Sequence, residues 1–246
     1  MSLAVTNASY TYRNGTVAVN NITYTFEPGV FYGIFGSNGS GKSTLLKMLA
    51  GDVEPDDPVL LDGKSLRNLS SKVLAREMAY AVQEEELVLP FKVRDCIALG
   101  RYVWCDKNNT LIDRLLQEWN AEHLSNKQFS ELSGGERQKI KLLRILAQDT
   151  RYILLDEPAS SLDFAKQLEL YEKLQQVAHD EKKCIIMVCH DLYTAPAFID
   201  EMLLMKKGNL LYAGKPDTIE AQEAIGQAFD REFSIIRKEK SIEISW

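Results

Sequence analysis

The sequence predicts an α/β chain: a mostly parallel sheet with an antiparallel β edge and an inserted α-helical subdomain. Three observations carry this. Apolar runs of strand length, VFYGIF at 30–35, YILL at 152–155 and CIIMVC at 184–189, are too continuous for half-exposed strands and suit a sheet covered on both faces. Stretches of helical period separate those runs, as a parallel sheet requires of its crossovers. Between Val93 and Gln148 the β signal fades, and VRDCIALGRY, TLIDRLLQEW and GERQKIKLLRILAQ follow one another as helices. The division expected is one domain, with residues 1–83 and 150–246 forming the core and 84–149 the helical insert.

The elements follow in order. The first 35 residues are rich in Val, Ile, Thr, Tyr and Phe and are broken at Asn14-Gly15 and Pro28-Gly29, which predicts antiparallel strands leading into the buried strand at 30–35. A glycine-rich loop then opens a helix over 42–50. MAYAV, ending just before Gln83, has strand character. Over 163–179 a helix places Leu170, Tyr171, Leu174, Val177 and Ala178 on one face, with Glu169 and Lys173 as an i,i+4 pair on the other. A short helix is expected near Leu192, and EMLLMKK and LLYAG flank Gly208-Asn209 as a hairpin.

Composition narrows the function. Among 246 residues, 29 basic against 35 acidic side chains leave a net charge of -6, a poor basis for whole-chain attraction to nucleic acid or anionic lipid. No run approaches the roughly 18 apolar residues of a membrane-spanning helix. The N-terminus MSLAVTNASYTYRNG has neither a basic nor an apolar signal region, so a cytoplasmic chain is expected. Cys96, Cys105, Cys184 and Cys189 form no CxxC pair and are read as buried reduced thiols, the last two on opposite faces of one strand. His123 and His179 lie in polar helix ends and are read as solvated.

The chemistry starts at Gly36-Ser37-Asn38-Gly39-Ser40-Gly41-Lys42-Ser43, which fits G-x-x-x-x-G-K-[ST] between a predicted strand and a predicted helix. Such a match arises by chance on the order of once in a hundred chains of this length, and its placement lowers that further. Glycines let successive N–H groups and the helix N-terminus converge on phosphate oxygens, so a P-loop NTPase core is expected. Lys42 supplies a charge toward the β- and γ-phosphates, Ser43 a hydroxyl for Mg²⁺, and Thr44 extends the same ATP contact. A second strand, YILL, ends in Asp156-Glu157-Pro158. Strand alternation points the two carboxylates in different directions, Asp156 toward Mg²⁺ and Glu157 toward the γ-phosphate as general base or water-orienting group. Without the phosphate loop, the same acidic pair would read as a helix N-cap.

Leu132-Ser133-Gly134-Gly135-Glu136 opens a strong helical pattern. With it, the chain resembles the ATP-binding-cassette (ABC) ATPases over nearly its whole length, since this is their signature motif. The resemblance implies further residues. Tyr12 matches the aromatic that stacks on adenine, although packing in a Tyr-rich β region would equally place it. Gln83 matches the Q-loop glutamine, a catalytic residue and Mg²⁺ contact. The stretch containing Asp163 resembles the D-loop, and His190 resembles the switch histidine that contacts the γ-phosphate. Ser133, Gly134 and Gly135 form a second glycine-rich helix start, which in the family completes the ATP site of the other protomer. One cassette per chain therefore implies a head-to-tail homodimer with two shared sites. Glu84, Glu85 and Glu86 read as a solvated acidic edge or as a face for a basic partner.

LRNLSSKVLAREMAYAVQ and VRDCIALGRYVW resemble the ATPases of iron-siderophore, haem and cobalamin importers. That resemblance implies transmembrane permease partners, an extracytoplasmic substrate-binding protein met indirectly, and a peripheral position on the inner face of the cell membrane. A soluble ABC ATPase of iron-sulfur cluster assembly would share every nucleotide motif. An ABC protein acting on nucleic acid would carry paired cassettes or a long coiled coil, and neither is visible.

Overall fold

The computed structural model describes residues 2–82, 91–230, 234–238 and 241–245, the last two as backbone only. The chain opens with an antiparallel pair, β1 (Leu3–Thr11) and β2 (Val17–Phe26), then β3 (Phe31–Gly36) and α1 (Lys42–Ala50). Short strands β4 (Leu60–Leu61) and β5 (Lys64–Ser65), helix α2 (Ser71–Glu77) and strand β6 (Met78–Ala81) follow. The helical stretch comprises α3 (Val93–Ala98), a 3₁₀ segment at Leu99–Trp104, α4 (Asn109–Glu118) and α5 (Gly134–Ala147). Then come β7 (Tyr152–Asp156), α6 (Phe164–Asp180), β8 (Cys184–Val188), β9 (Glu201–Lys206), β10 (Asn209–Gly214), α7 (Ile219–Phe229) and the pair β11 (Ser234–Lys238) and β12 (Ser241–Ser245).

The strands form two main sheets. One has the order β2-β1-β4-β5; the other, of six strands, has the order β10-β9-β3-β8-β7-β6 and is parallel except at its β10 edge. Every residue of β3, β7 and β8 is buried, because this sheet is covered on both faces. Alternation divides their side chains between two cores. Phe31, Phe35, Ile153, Leu155, Ile185 and Met187 pack toward the helical side. Tyr32, Ile34, Tyr152, Leu154, Ile186 and Val188 pack toward α1 and the antiparallel sheet. Helix α1 therefore lies between the two sheets, with its first turn at the C-terminal edge of β3. That edge is where ligands bind in open α/β sheets.

The buried strand at 30–35 takes the place expected of it, in the parallel sheet between β9 and β8, while other details differ. The hairpin turn is Lys207-Gly208, not Gly208-Asn209: both take positive φ (47° and 82°), while Asn209 already pairs with Lys206. Glu169 pairs with Lys139 of α5 at 3.6 Å, an interhelical contact that sequence spacing does not disclose. Near Leu192 the only helical piece is a 3₁₀ turn at Ala195–Ala197, which holds Pro196. Cys105 is exposed at positive φ, whereas Cys96, Cys184 and Cys189 are buried; Cys184 and Cys189 do face opposite cores. His179 is bonded rather than merely solvated: its Nε2 lies 2.9 Å from Asp200 Oδ2, which also accepts the Phe31 N–H at 2.8 Å. That contact ties the end of α6 to the starts of β3 and β9. Among the described residues, no helix is long and apolar enough to cross a membrane.

Candidate nucleotide site

The loop between β3 and α1 is shaped by close approach. A Cβ on Gly36 would sit 2.2 Å from the Met205 carbonyl oxygen, and one on Gly41 2.0 Å from that of Ala18; their φ values are 146° and 103°. No L side chain fits either place. Gly41 is also the N-cap of α1 and offers no side-chain acceptor, so the helix starts without a side-chain cap on its first-turn N–H groups. Ser37, Asn38 and Gly39 form the outer bend. Ser40 Oγ is buried and has no hydrogen-bond partner among the described residues, an orphaned donor inside the cradle.

Lys42 is 5% exposed, and its ammonium donates to the carbonyls of Gly36 (2.9 Å) and Ser37 (3.2 Å). Burial lowers its pKa, against the opposing pull of the Glu157 and Asp156 carboxylates. Ser43 Oγ donates to Asp156 Oδ1 at 3.0 Å, joining the start of α1 to the end of β7. Burial raises the Asp156 pKa, and the Ser43 hydrogen bond works against that rise. Among the described residues, no cluster of three His, Cys, Asp or Glu side chains could cage a metal. A hydroxyl and a single carboxylate instead suit Mg²⁺, which keeps most of its shell for waters and phosphate oxygens. The orphaned Ser40 hydroxyl, the cradle without Cβ atoms and this hard-oxygen pair fit a magnesium nucleotide.

Glu157 follows Asp156 at φ 52°, outside the strand conformation, and its N–H donates to the Val188 carbonyl at 3.3 Å. The turn re-aims its carboxylate toward His190, whose Nε2 is hydrogen-bonded to Glu157 Oε1. Non-glycine residues at positive φ persist where their surroundings fix them, often at active sites. A cavity of about 360 Å³ beside the pair is lined by Ser160, Gln167, Tyr171, Cys189 and Asp191. On the other flank, the Tyr12 hydroxyl lies 3.0 Å from Thr44 Oγ1, and Tyr12 as a residue is 37% exposed, its ring meeting that of Tyr10 edge-on. The structure thus gathers residues 36–44, Asp156, Glu157 and His190 at one edge of the parallel sheet, with Tyr12 reaching Thr44 from the end of β1 in the other sheet.

Ser133, Gly134, Gly135 and Asp163 stand elsewhere. Ser133 caps α5: its Oγ accepts the Glu136 N–H at 3.4 Å, while the Glu136 carboxylate takes the Ser133 N–H at 2.8 Å. The Ser133 hydroxyl also donates to the Glu136 carboxylate at 2.6 Å, and that bond first, then the one from the Ser133 N–H, holds the Glu136 carboxyl below its usual range. Asp163 caps α6, accepting the Lys166 N–H at 3.0 Å and pairing with the Lys166 ammonium at 2.7 Å. Ser133, Gly134 and Asp163 are exposed, and the atoms nearest Gly135 belong to Leu162 and Lys166 rather than to the phosphate loop. Gln83 lies outside the described residues, as do Glu84, Glu85 and Glu86.

A family model for the ABC transporter matches residues 19–160. The chain belongs to the ABC transporter family. It is an ATPase of that family, whose members bind ATP. It is 35% identical over 247 residues to the hemin import ATP-binding protein HmuV of Rhodopseudomonas palustris, covering 96% of this chain and 94% of that protein. To HmuV of Escherichia coli O157:H7 it is 31% identical over 231 residues, covering 91% and 90%. Among solved structures, cbiO1 from Clostridium perfringens, part of the ABC transporter complex cbiONQ, is similar with a TM-score of 0.80 at 26% identity, covering 92% of each chain.

In this ABC ATPase, sequence reasoning missed the ties from α5 and α6 to the segment after Glu157. Gln138 Nε2 of α5 donates to the Pro158 carbonyl at 3.1 Å, and Gln167 Nε2 of α6 donates to those of Ala159 and Leu162, each at 3.2 Å. Both glutamines brace the segment that follows Glu157. Neither has a local sequence signature, because a side chain reaching a distant carbonyl leaves no periodicity.

Proposed function

We propose that this chain is the ATP-hydrolysing subunit of an importer for a metal chelate, of the iron-siderophore, haem or cobalamin kind. It acts on the cytoplasmic face of the membrane as a head-to-tail homodimer bound to two permease chains. One observation carries the catalytic half: Lys42 and Ser43 at the start of α1 meet Asp156 and Glu157 at the end of β7, with His190 on Glu157. The loop N–H groups and Lys42 bind the phosphates, and the exposed Tyr12 ring stacks on adenine. Ser43, Asp156 and Gln83 would hold Mg²⁺, which neutralises charge on the phosphate oxygens when bound. Glu157 orients the attacking water and accepts its proton, while His190 donates to the γ-phosphate. Ser133, Gly134 and Gly135, with Asp163 beside them, complete the site of the second chain.

Import of a metal chelate is supported by the two haem-import relatives, each aligned over at least nine tenths of its own length. Partner docking is supported by a groove of about 1,150 Å³ between α2, α3 and the 3₁₀ segment, where Tyr102 is 85% exposed. The substrate-binding protein is met only through the permeases. The deciding experiment deletes the gene and measures uptake of radiolabelled haem, ferric siderophore and cobalamin. Loss of uptake of one class, restored by wild type and not by Glu157→Gln, is expected; unchanged uptake of all three would refute the importer reading.

A further inference from the structure

Tyr80 lies under the metal end of this site and has no role in the motifs. It stands on β6 opposite Leu154 of β7, and Leu154 shares its sheet face with Asp156, two residues on. Its ring packs with Met78 and Leu154 in the core beneath α1. The Tyr80 hydroxyl is buried and has no hydrogen-bond partner among the described residues. A phenol left this way loses its hydration with no return, so natural structures give such groups a protein or water partner. The surroundings indicate which. Besides burial, the negative charges of Asp156 and then Asp52 oppose ionisation of Tyr80, with the Tyr12 hydroxyl a weaker neighbour. A neutral phenol facing carboxylates is a donor. Asp156 has its Oδ1 committed to Ser43 and carries a buried charge that further donors would stabilise.

We propose that Tyr80 is a positioning residue for the metal end of the site: its hydroxyl donates, through one bound water, to the Asp156 carboxylate and fixes the orientation in which that carboxylate meets Mg²⁺. The inference rests on the nucleotide-site reading above and adds a residue to it. Outer-shell donors of this kind hold metal ligands in place. A tyrosine that only filled the space beneath α1 would have no use for its oxygen, and phenylalanine would replace it without effect.

Tyr80→Phe keeps the ring and removes the donor, so the fold stays while the hydroxyl is tested. In a Glu157→Gln background, which prevents turnover, a fluorescent ATP analogue is titrated in Mg²⁺ and in EDTA. The midpoint for Mn²⁺ is measured separately at fixed nucleotide. Tyr80→Phe should weaken metal-dependent nucleotide binding and raise the Mn²⁺ midpoint by about three- to tenfold, at or below the range for direct outer-shell partners because a water intervenes. Binding in EDTA should not change. An unshifted Mn²⁺ midpoint, or an equal loss with and without metal, overturns the proposal. Asp52→Asn supplies a further arm: if it reproduces the Tyr80→Phe shift, the water belongs to Asp52 and the proposal falls. Asp156→Asn separates the two levels. Should it abolish metal dependence while Tyr80→Phe does nothing, Tyr80 alone loses its role; should Asp156→Asn leave metal dependence intact, the site reading itself fails.

Discussion

Lys42 spends its hydrogen bonds on the carbonyls of its own loop, so its charge is already aimed along the cradle that a phosphate would enter. Lys42→Ala leaves the backbone N–H groups in place and removes the one ammonium among them. A charge-assisted hydrogen bond is worth about 1.5–3 kcal/mol, so calorimetry should show MgATP affinity falling about ten- to a hundredfold. Affinity near wild type would remove Lys42 from the site. Burial lowers the Lys42 pKa, so the charged form is lost at a pH below the ordinary lysine range and wild-type affinity should decline early on the alkaline side. Bound phosphate opposes that decline, and the Lys42→Ala protein should lack it. Tyr12 presents a different balance. Its ring is open for stacking and its hydroxyl is engaged by Thr44, so the ring and the oxygen serve different neighbours. Tyr12→Ala should lose about 0.5–1.5 kcal/mol of ATP affinity, and Tyr12→Phe much less. Equal losses in the two would make the Thr44 contact, and not stacking, the contribution of this residue.

At the scale of elements, α5 starts with a reciprocal cap whose two members are Ser133 and Glu136. Ser133→Ala removes the side-chain acceptor and should cost about 1 kcal/mol of stability, read as a lower melting temperature. Glu136 has a depressed pKa in the folded chain, so its contribution is complete above the ordinary glutamate range, about pH 4.3, and is lost as pH falls through the folded value. Acid unfolding of Ser133→Ala should therefore begin at a higher pH than in wild type; identical acid profiles would deny the cap any role in that titration. Which elements the sequence disclosed follows from how each is stabilised. β3, β7 and β8 are buried on both faces, so their apolar runs are unbroken, and α1 is bounded by Gly41 and Gly51. Helix α7 escaped because three of its four buried residues are alanines, Ala221, Ala224 and Ala228, which give weak periodicity. The Lys207-Gly208 turn escaped because a lysine at positive φ is not a turn signal. In the candidate site, Lys42 and Ser43 were legible from the spacing of the phosphate loop and Asp156 and Glu157 from their place at the end of an apolar strand, whereas Tyr12 and His190 came only through the family resemblance. The His179–Asp200 and Glu169–Lys139 contacts were not, since they depend on how α6 packs against the sheet and α5.

The whole molecule presents its two glycine-rich helix starts as separate surfaces, one on the parallel sheet and one on the helical side, bridged by Gln138 to Pro158 just after Glu157. On the proposed reading, a nucleotide held at the first meets the second of another chain, and the state that brings the two chains together would be favoured by its greater affinity for ATP. Hydrolysis removes that advantage, so blocking it should trap the closed pair. Glu157→Gln retains shape and hydrogen-bonding capacity at the strained turn while losing the charge that draws a proton from water. Size-exclusion chromatography with light scattering should show this variant as monomer without nucleotide and dimer with MgATP. Its hydrolysis should fall by at least about a hundredfold, the low end of what a general base contributes. Adding Ser133→Arg to Glu157→Gln places bulk on the exposed helix start without touching Lys42, and should abolish the dimer while each chain still binds ATP. A Glu157→Gln protein that hydrolyses ATP at a near-normal rate would take the base role from Glu157. A double variant that still dimerises would mean that the chains meet by some other face, and the head-to-tail arrangement would then be wrong even with every residue of the phosphate site correctly assigned.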